Sequence, residues 1–259
     1  MRYFFSFLFV CSSLFASSIP VFENIKKTED SIFLITTERS GSNWLSTSLS
    51  LITRKPISWI EWKYKIHVNH PSYNRLNIEL VSDNPLLYRT HLPNGLIKKV
   101  PRDKNKLIFL TRNPKEILFR SLLLKEMRET DKRIWNFIDN YLEYFNLYES
   151  FHKTNRKLIF YEDFIHHHEE ILLDVLDFMN EPATFWEDFI LNKNFYFSSI
   201  LSSYKDQHRS VDGGKSSQNG ATEKFYSLDI SKELLKKIDL YIQKAAPKIW
   251  EDHLSRFAD

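Results

Sequence analysis

A chain of 259 residues, 42% hydrophobic and 15% aromatic, can build one α/β domain with a sizeable core but would be stretched over two. A formal net charge of +3 excludes a broad electrostatic footprint for nucleic acid, and the one local basic cluster is "IKKVPRDKNK" at residues 97–106. The single cysteine, Cys11, excludes an internal disulfide framework and any site built on several thiolates.

Residues 1–18, "MRYFFSFLFVCSSLFASS", begin with Arg2, run apolar from Tyr3 to Phe15 and end in small residues. That layout predicts a secretory signal peptide, with the mature domain over residues 19–259 and the secretory pathway or periplasm as its place. The alternative is an uncleaved first helix or strand of a cytoplasmic domain. The apolar run falls short of the roughly 20 residues of a membrane span, so a membrane enters only through an uncleaved leader.

Farther along, "SIFLIT" (31–36) reads as a buried strand, and "NWLSTSLSLITR" (43–54) carries apolar residues at helical spacing. Residues 56–74, aromatic-rich and punctuated by Pro56 and Pro71, read as irregular. "LLYRTH" (86–91) and "KLIFLT" (106–111) are predicted strands, and "NPKEILFRSLLLKEM" (113–127) opens a helix with proline in its first turn. An amphipathic helix over 134–151, a strand "RKLIFY" (156–161) and a helix "EEILLDVLDFM" (169–179) follow. Residues 202–224 are polar, glycine-bearing and aperiodic, which predicts a surface loop. The stretch 231–250 closes the chain as a helix opened by Ser231 and bent or ended by Pro247. Apolar strands alternating with helices predict a mainly parallel sheet flanked by helices, a three-layer α/β sandwich.

Between the first strand and helix lies "TERSGSNWL" (37–45). A helix start offers unpaired N–H groups and partial positive charge, which together suit an anion. Gly41 permits close approach, Ser40, Ser42 and Asn43 add short donors, and Arg39 adds a planar cation. No lysine follows Gly41 and no glycine stands five residues before it, so the Walker pattern does not fit. Taken alone, the loop is equally well read as a capped helix without ligand.

Three further segments accompany it. "TERSGSNWL" resembles the 5′-phosphosulfate loop of sulfotransferases, commonly written PKSGTTW. "YRTHLP" (88–93) resembles their KTHLP element, "LIFLTRNPKEILFRS" (107–121) their 3′-phosphate element, and "LIFYED" (158–163) the strand whose tyrosine approaches adenine. All four stand in the family's order. The resemblance implies a P-loop-like fold, the donor 3′-phosphoadenosine 5′-phosphosulfate (PAPS), no metal, and transfer to a hydroxyl or amine of a small-molecule, glycan or peptide acceptor. A nucleotide-binding protein without transfer and, at greater distance, a P-loop kinase are the competing readings.

The resemblance also implies roles. His91 is the general base, an imidazole able to take a proton near neutral pH. Arg39 and Arg89 stand where the family has lysines and stabilise charge on the moving group, but arginine does not donate a proton to the leaving phosphate. Residues 40–43 wrap the 5′ phosphate. Trp44 and Tyr161 are each divided between adenine contact and core packing. Arg112 matches the 3′-phosphate arginine; its usual serine partner is replaced by Arg120, with Ser121 one position on, so either can complete that contact. The closing glycine-rich element is poorly matched, and Lys215 is the cation it offers. "IHHHEE" (165–170) invites a metal reading, yet three consecutive histidines diverge on a helix, and a solvated turn is the better expectation.

Overall fold

Alternation sets the two faces of the central strand. In β1 (Ile32–Thr36) the residues Phe33 and Ile35 enter one core, while Ile32 and Leu34 enter the other. A strand apolar at successive positions needs cover on both sides, which a parallel sheet between helices provides. The computed structural model describes residues 30–37, 40–60, 66–68, 79–91, 100–122, 132–209 and 232–258. The expected leader, residues 1–18, lies outside them.

The sheet is six-stranded, formed by β1, β2 (Ile57–Ile60), β3 (Ile66–Val68), β4 (Leu87–Thr90), β5 (Lys106–Thr111) and β6 (Arg156–Phe160). Its order is β3-β2-β4-β1-β5-β6, parallel throughout except where β3 pairs antiparallel with β2. One face is covered by α2 (Pro114–Leu122), α3 (Lys132–Glu149) and α7 (Lys232–Ala245), which bring Leu118, Phe145 and Ile238 onto Phe33 and Phe109. The other is covered by α1 (Ser42–Thr53), α5 (His168–Met179) and α6 (Trp186–Arg209). Leu45, Leu49 and Ile52 of α1 are fully buried there, each contributing about 1.5–3 kcal/mol of hydrophobic stabilisation. A short helix, α4 (Tyr161–His166), joins β6 to α5.

Three expectations change. Residues 56–74 are not irregular throughout, because β2 and β3 lie within them. Pro56 stands just before β2, where its missing N–H costs no ladder bond, and so does not argue against a strand. The loop expected over 202–224 begins too early: α6 runs helical through Arg209. Residues 202–209 contain neither glycine nor proline, and each residue added to an existing helix gains a hydrogen bond without a new nucleus. Residues 210–224 lie outside the described residues. Finally, Tyr161 is not the last residue of a strand but the first of α4, since β6 stops at Phe160.

The end of the chain is fixed to the helix that follows β5. Lys115, buried in α2, reaches Asp239 Oδ2 of α7 at 3.2 Å and donates to the carbonyl of Phe257 at 2.5 Å. Arg256 adds two bonds to Asp163 of α4, at 2.8 and 2.6 Å.

Candidate active site

The carboxyl ends of four adjacent strands meet along one edge of the sheet. Parallel register pairs Ile35 with Thr90, Thr36 with Leu110 and Thr111 with Phe160. The next residues, His91, Arg112 and Tyr161, therefore emerge side by side with the turn that leads into α1. Ligands of open α/β sheets bind at this end, where strand order reverses; here it reverses at β1.

The turn is built for close approach. Gly41 caps α1 in the left-handed conformation, with φ 82°, and contributes no side chain to the cap. The first intrahelical bond runs from Leu45 N–H to the Gly41 carbonyl at 3.1 Å. The N–H groups of Ser42, Asn43 and Trp44 thus have no carbonyl within the helix to meet. A Cβ added to Gly41 would lie 2.7 Å from Cδ2 and Cε2 of Tyr161, so both the backbone and the neighbouring ring require glycine. Ser40 is buried, and its Oγ donates to the Thr37 carbonyl at 2.7 Å, closing the turn on itself.

Arg89 is only 2% exposed. Its Nη1 donates to Ser46 Oγ at 3.0 Å and its Nη2 to Ser42 Oγ at 2.5 Å, while its guanidinium lies 4.2 Å from the centre of the Trp59 ring. Ser42 and Ser46 are one helical turn apart, so a two-pronged cation from β4 clamps the first turn of α1. The positive charge is therefore buried against the helix start and reaches an anion there through the low-dielectric interior.

His91 follows two residues later. Its Nδ1 lies 2.9 Å from the Thr36 carbonyl and 2.7 Å from Thr36 Oγ1. A carbonyl only accepts, so Nδ1 carries the proton, and Nε2 holds a lone pair. This tautomer follows from the hydrogen-bond pattern. Burial, reinforced by the Arg89 guanidinium, pushes the imidazole down to about 4, which keeps it neutral at neutral pH. The Trp59 ring stands edge-on at 5.2 Å, and Tyr144 OH donates to the His91 carbonyl at 2.5 Å. The ring is held from several sides.

On the β5–β6 side, Arg112 is buried, with its guanidinium 4.0 Å from the centre of the Tyr161 ring. It makes a two-point ion pair with Glu116, one turn on in α2: Nε to Oε2 is 2.6 Å, and Nη2 meets Oε1. Glu162 lies at 3.9 Å from Arg112 Nε and accepts from the Asn113 N–H at 2.9 Å. Burial raises the Glu162 carboxyl above the usual range, and the Glu116 charge adds to this.

Trp44 leaves the opposite side of α1. Its indole is partly buried, 4.1 Å from the Phe197 ring, and its Nε1 donates to His168 Nε2 at 2.6 Å. This corrects the expectation for "IHHHEE": His166 and His167 are exposed, but His168 is turned inward among aromatic rings. Arg39 and Lys215 lie outside the described residues. Arg120 and Ser121 belong to α2, with side chains outside the description.

The structure thus brings Gly41, Ser42, Asn43, Arg89, His91, Arg112 and Tyr161 to one edge. Sequence reasoning did not single out Thr36, Ser46, Glu116 or Tyr144. A threonine ending a buried strand and a glutamate in the first turn of a helix, four residues after an arginine at the strand end, were legible signals for two of them. Tyr144, on a helix remote in sequence, carried none. Chemically, a neutral imidazole with no partner on Nε2 among the described residues, beside an uncapped helix start, can remove a proton while an anionic group is held.

Comparison with known proteins bears on the fold and the family. An amine sulfotransferase of Oryctolagus cuniculus is 29% identical over 130 residues, covering 44% of this chain and 40% of that protein. Sulfotransferase 2A2 of Rattus norvegicus is 33% identical over 97 residues, covering 35% of this chain and 33% of that protein. The matched stretches therefore span less than half the length of either relative. A retinol dehydratase crystallised with androsterone and the inactive cofactor PAP shares the fold, with a TM-score of 0.51 and 14% identity over 85% of this chain and 82% of that one. The family model described as the sulfotransferase domain matches residues 29–251, and with most of its length accounted for in this way the chain belongs to that family.

Proposed function

We propose that the protein transfers the sulfuryl group of PAPS to a hydroxyl or amine of a small-molecule, glycan or peptide acceptor, with His91 as general base. One observation carries the reading. The Nδ1–H of His91 is committed to Thr36, which leaves Nε2 basic at the strand tip next to the uncapped start of α1. The residues also fit a polyanionic nucleotide: there is no room for a Cβ at Gly41, no side-chain cap on α1, and an arginine at the end of each flanking strand.

In the proposed reaction the acceptor oxygen or nitrogen attacks sulfur, and the bond from sulfur to the bridging oxygen of the 5′ phosphate breaks. The acceptor proton passes to His91 Nε2, and 3′-phosphoadenosine 5′-phosphate (PAP) leaves. The α1 N–H groups of residues 42–44 hold the 5′ phosphate, and Arg89 and Arg39 supply positive charge as negative charge builds on the bridging oxygen. Arg112 takes the 3′ phosphate, either Arg120 or Ser121 completes that contact, and Lys215 is the cation the closing loop offers. Trp44 and Tyr161 contact the adenine. Because an anion nearby favours the charged imidazole, bound donor raises the basicity of His91 toward the range where proton transfer is efficient.

The test is sulfate transfer from radiolabelled PAPS to a panel of alcohols, phenols, amines, glycans and tyrosyl peptides, with PAP binding measured alongside by calorimetry. Transfer to one acceptor class supports the reading. Binding of PAP without transfer to any acceptor would favour a nucleotide-binding protein, and absence of PAP binding would refute both.

A further inference from the structure

We infer that His168 is a positioning residue for the donor: by accepting the indole N–H of Trp44 it fixes the angle at which that ring meets the adenine. The inference rests on the reading above, in which Trp44 contacts the donor.

The geometry leaves little freedom. An indole nitrogen only donates, so the 2.6 Å contact from Trp44 Nε1 requires a bare Nε2 on His168. Around that bond lie hydrocarbon rings, with Glu169 and Lys193 the charged groups that act on the imidazole. His168 lies 4.8 Å from Phe164, 6.0 Å from Phe189 and 5.5 Å from Phe197, centre to centre. Trp44 itself lies 6.5 Å from Phe164 and 4.1 Å from Phe197. None of those phenylalanines can accept a hydrogen bond. Without His168 the N–H loses this acceptor, and the half-buried ring is free to turn toward another partner or toward water. Because His168 opens α5, which packs beneath α1, the rotamer of Trp44 is set by a second helix. Burial holds the imidazole low, at about 4, so it remains an acceptor at neutral pH. The exposed flank of the indole is what remains for a ligand.

A ring no longer held by the bond has to be ordered when the donor binds, at a cost of at most the bond's own worth, about five- to tenfold in affinity. His168→Leu should therefore raise the Kd for PAP and the KM for PAPS by about that factor, with kcat nearly unchanged. His168→Gln, whose amide oxygen can accept the same N–H, should recover most of the loss. Trp44→Phe, which removes the bond and part of the ring that meets the adenine, should cost at least as much as His168→Leu, and the double variant should cost no more than Trp44→Phe alone. In NMR the Trp44 indole N–H, assigned by its absence in Trp44→Phe, should move upfield in His168→Leu and return in His168→Gln.

An unmoved indole resonance in His168→Leu would show that the bond is not there. A moved resonance with unchanged PAP affinity would show that it does not position the donor. Either overturns this inference while wild-type PAP binding keeps the functional reading intact. Failure of the wild type to bind PAP overturns both. Should His168→Leu fail to fold, His168→Phe, a ring of similar shape with no acceptor nitrogen, set against His168→Gln supplies the same comparison.

Discussion

The two sides of α1 treat histidine in opposite ways. Toward β4 the helix presents Ser42 and Ser46 to a buried arginine, and His91 beyond them is tied at Nδ1 with Nε2 open. Toward α5 it presents Trp44, and His168 is tied at Nε2. Burial pushes both imidazoles to about 4. A depressed basicity therefore does not single out the base; which nitrogen is spent does. The side with charge and an open lone pair suits chemistry, and the side of packed rings suits holding a flat ligand.

The sharpest break in this comparison is His91→Ala. It should lower kcat by about 10²–10⁴ while PAP still binds, measured by transfer assay and calorimetry. Near-normal turnover in that variant would remove His91 from the mechanism.

Arg89→Lys comes next. A point charge on a flexible stem cannot reproduce the two-pronged hold on Ser42 and Ser46, and a lost buried bond to a charged group costs about 1.5–3 kcal/mol. Urea unfolding should show that loss, together with weaker PAP binding because the first turn of α1 loosens. Stability equal to wild type would mean the clamp contributes nothing.

Gly41→Ala should cost about 1–2 kcal/mol for the left-handed backbone, and more because the new Cβ meets the Tyr161 ring. Adding Tyr161→Ala should relieve the steric part and leave the backbone part, so the double variant is more stable than the sum of the two single losses predicts. Strict additivity would show that the ring is not against the glycine.

The smallest effect is on pH. Both folded-state values lie below the ordinary 6.5, so the unfolded chain binds protons first as pH falls. The stability contributed by keeping these rings neutral is fully present above about 6.5 and declines toward about 4. Unfolding by urea at pH 7.5, 6 and 5 should show it, with these two rings taking up as many as two protons on unfolding. His91→Phe and His168→Phe should each flatten part of the slope. The acid limb of kcat/KM should likewise lie nearer 4 than 6.5, because that ratio reports the free enzyme.

Much of this was written in the order of residues. Strands such as "IFLIT" and "KLIFLT" carry unbroken apolar runs that only a covered parallel sheet accommodates, and the four motifs fall at their ends. Gly41 announced a close approach, and "RTH" placed a histidine at a strand tip. The misreadings came where local signals were incomplete. Pro56 suggested disorder of pattern, although it only precedes β2, and a polar run without breakers was taken for loop although it extends α6.

The sequence by itself determined the layers, the strand-end position of His91 and the glycine at the start of α1, because periodicity and backbone sterics are local. Tertiary structure alone decided that Arg89 turns into α1 and that His168, one of three neighbours in a row, is the one facing Trp44. Such choices depend on which partners lie within about 3 Å after packing, and those partners stand up to 124 residues apart in the chain.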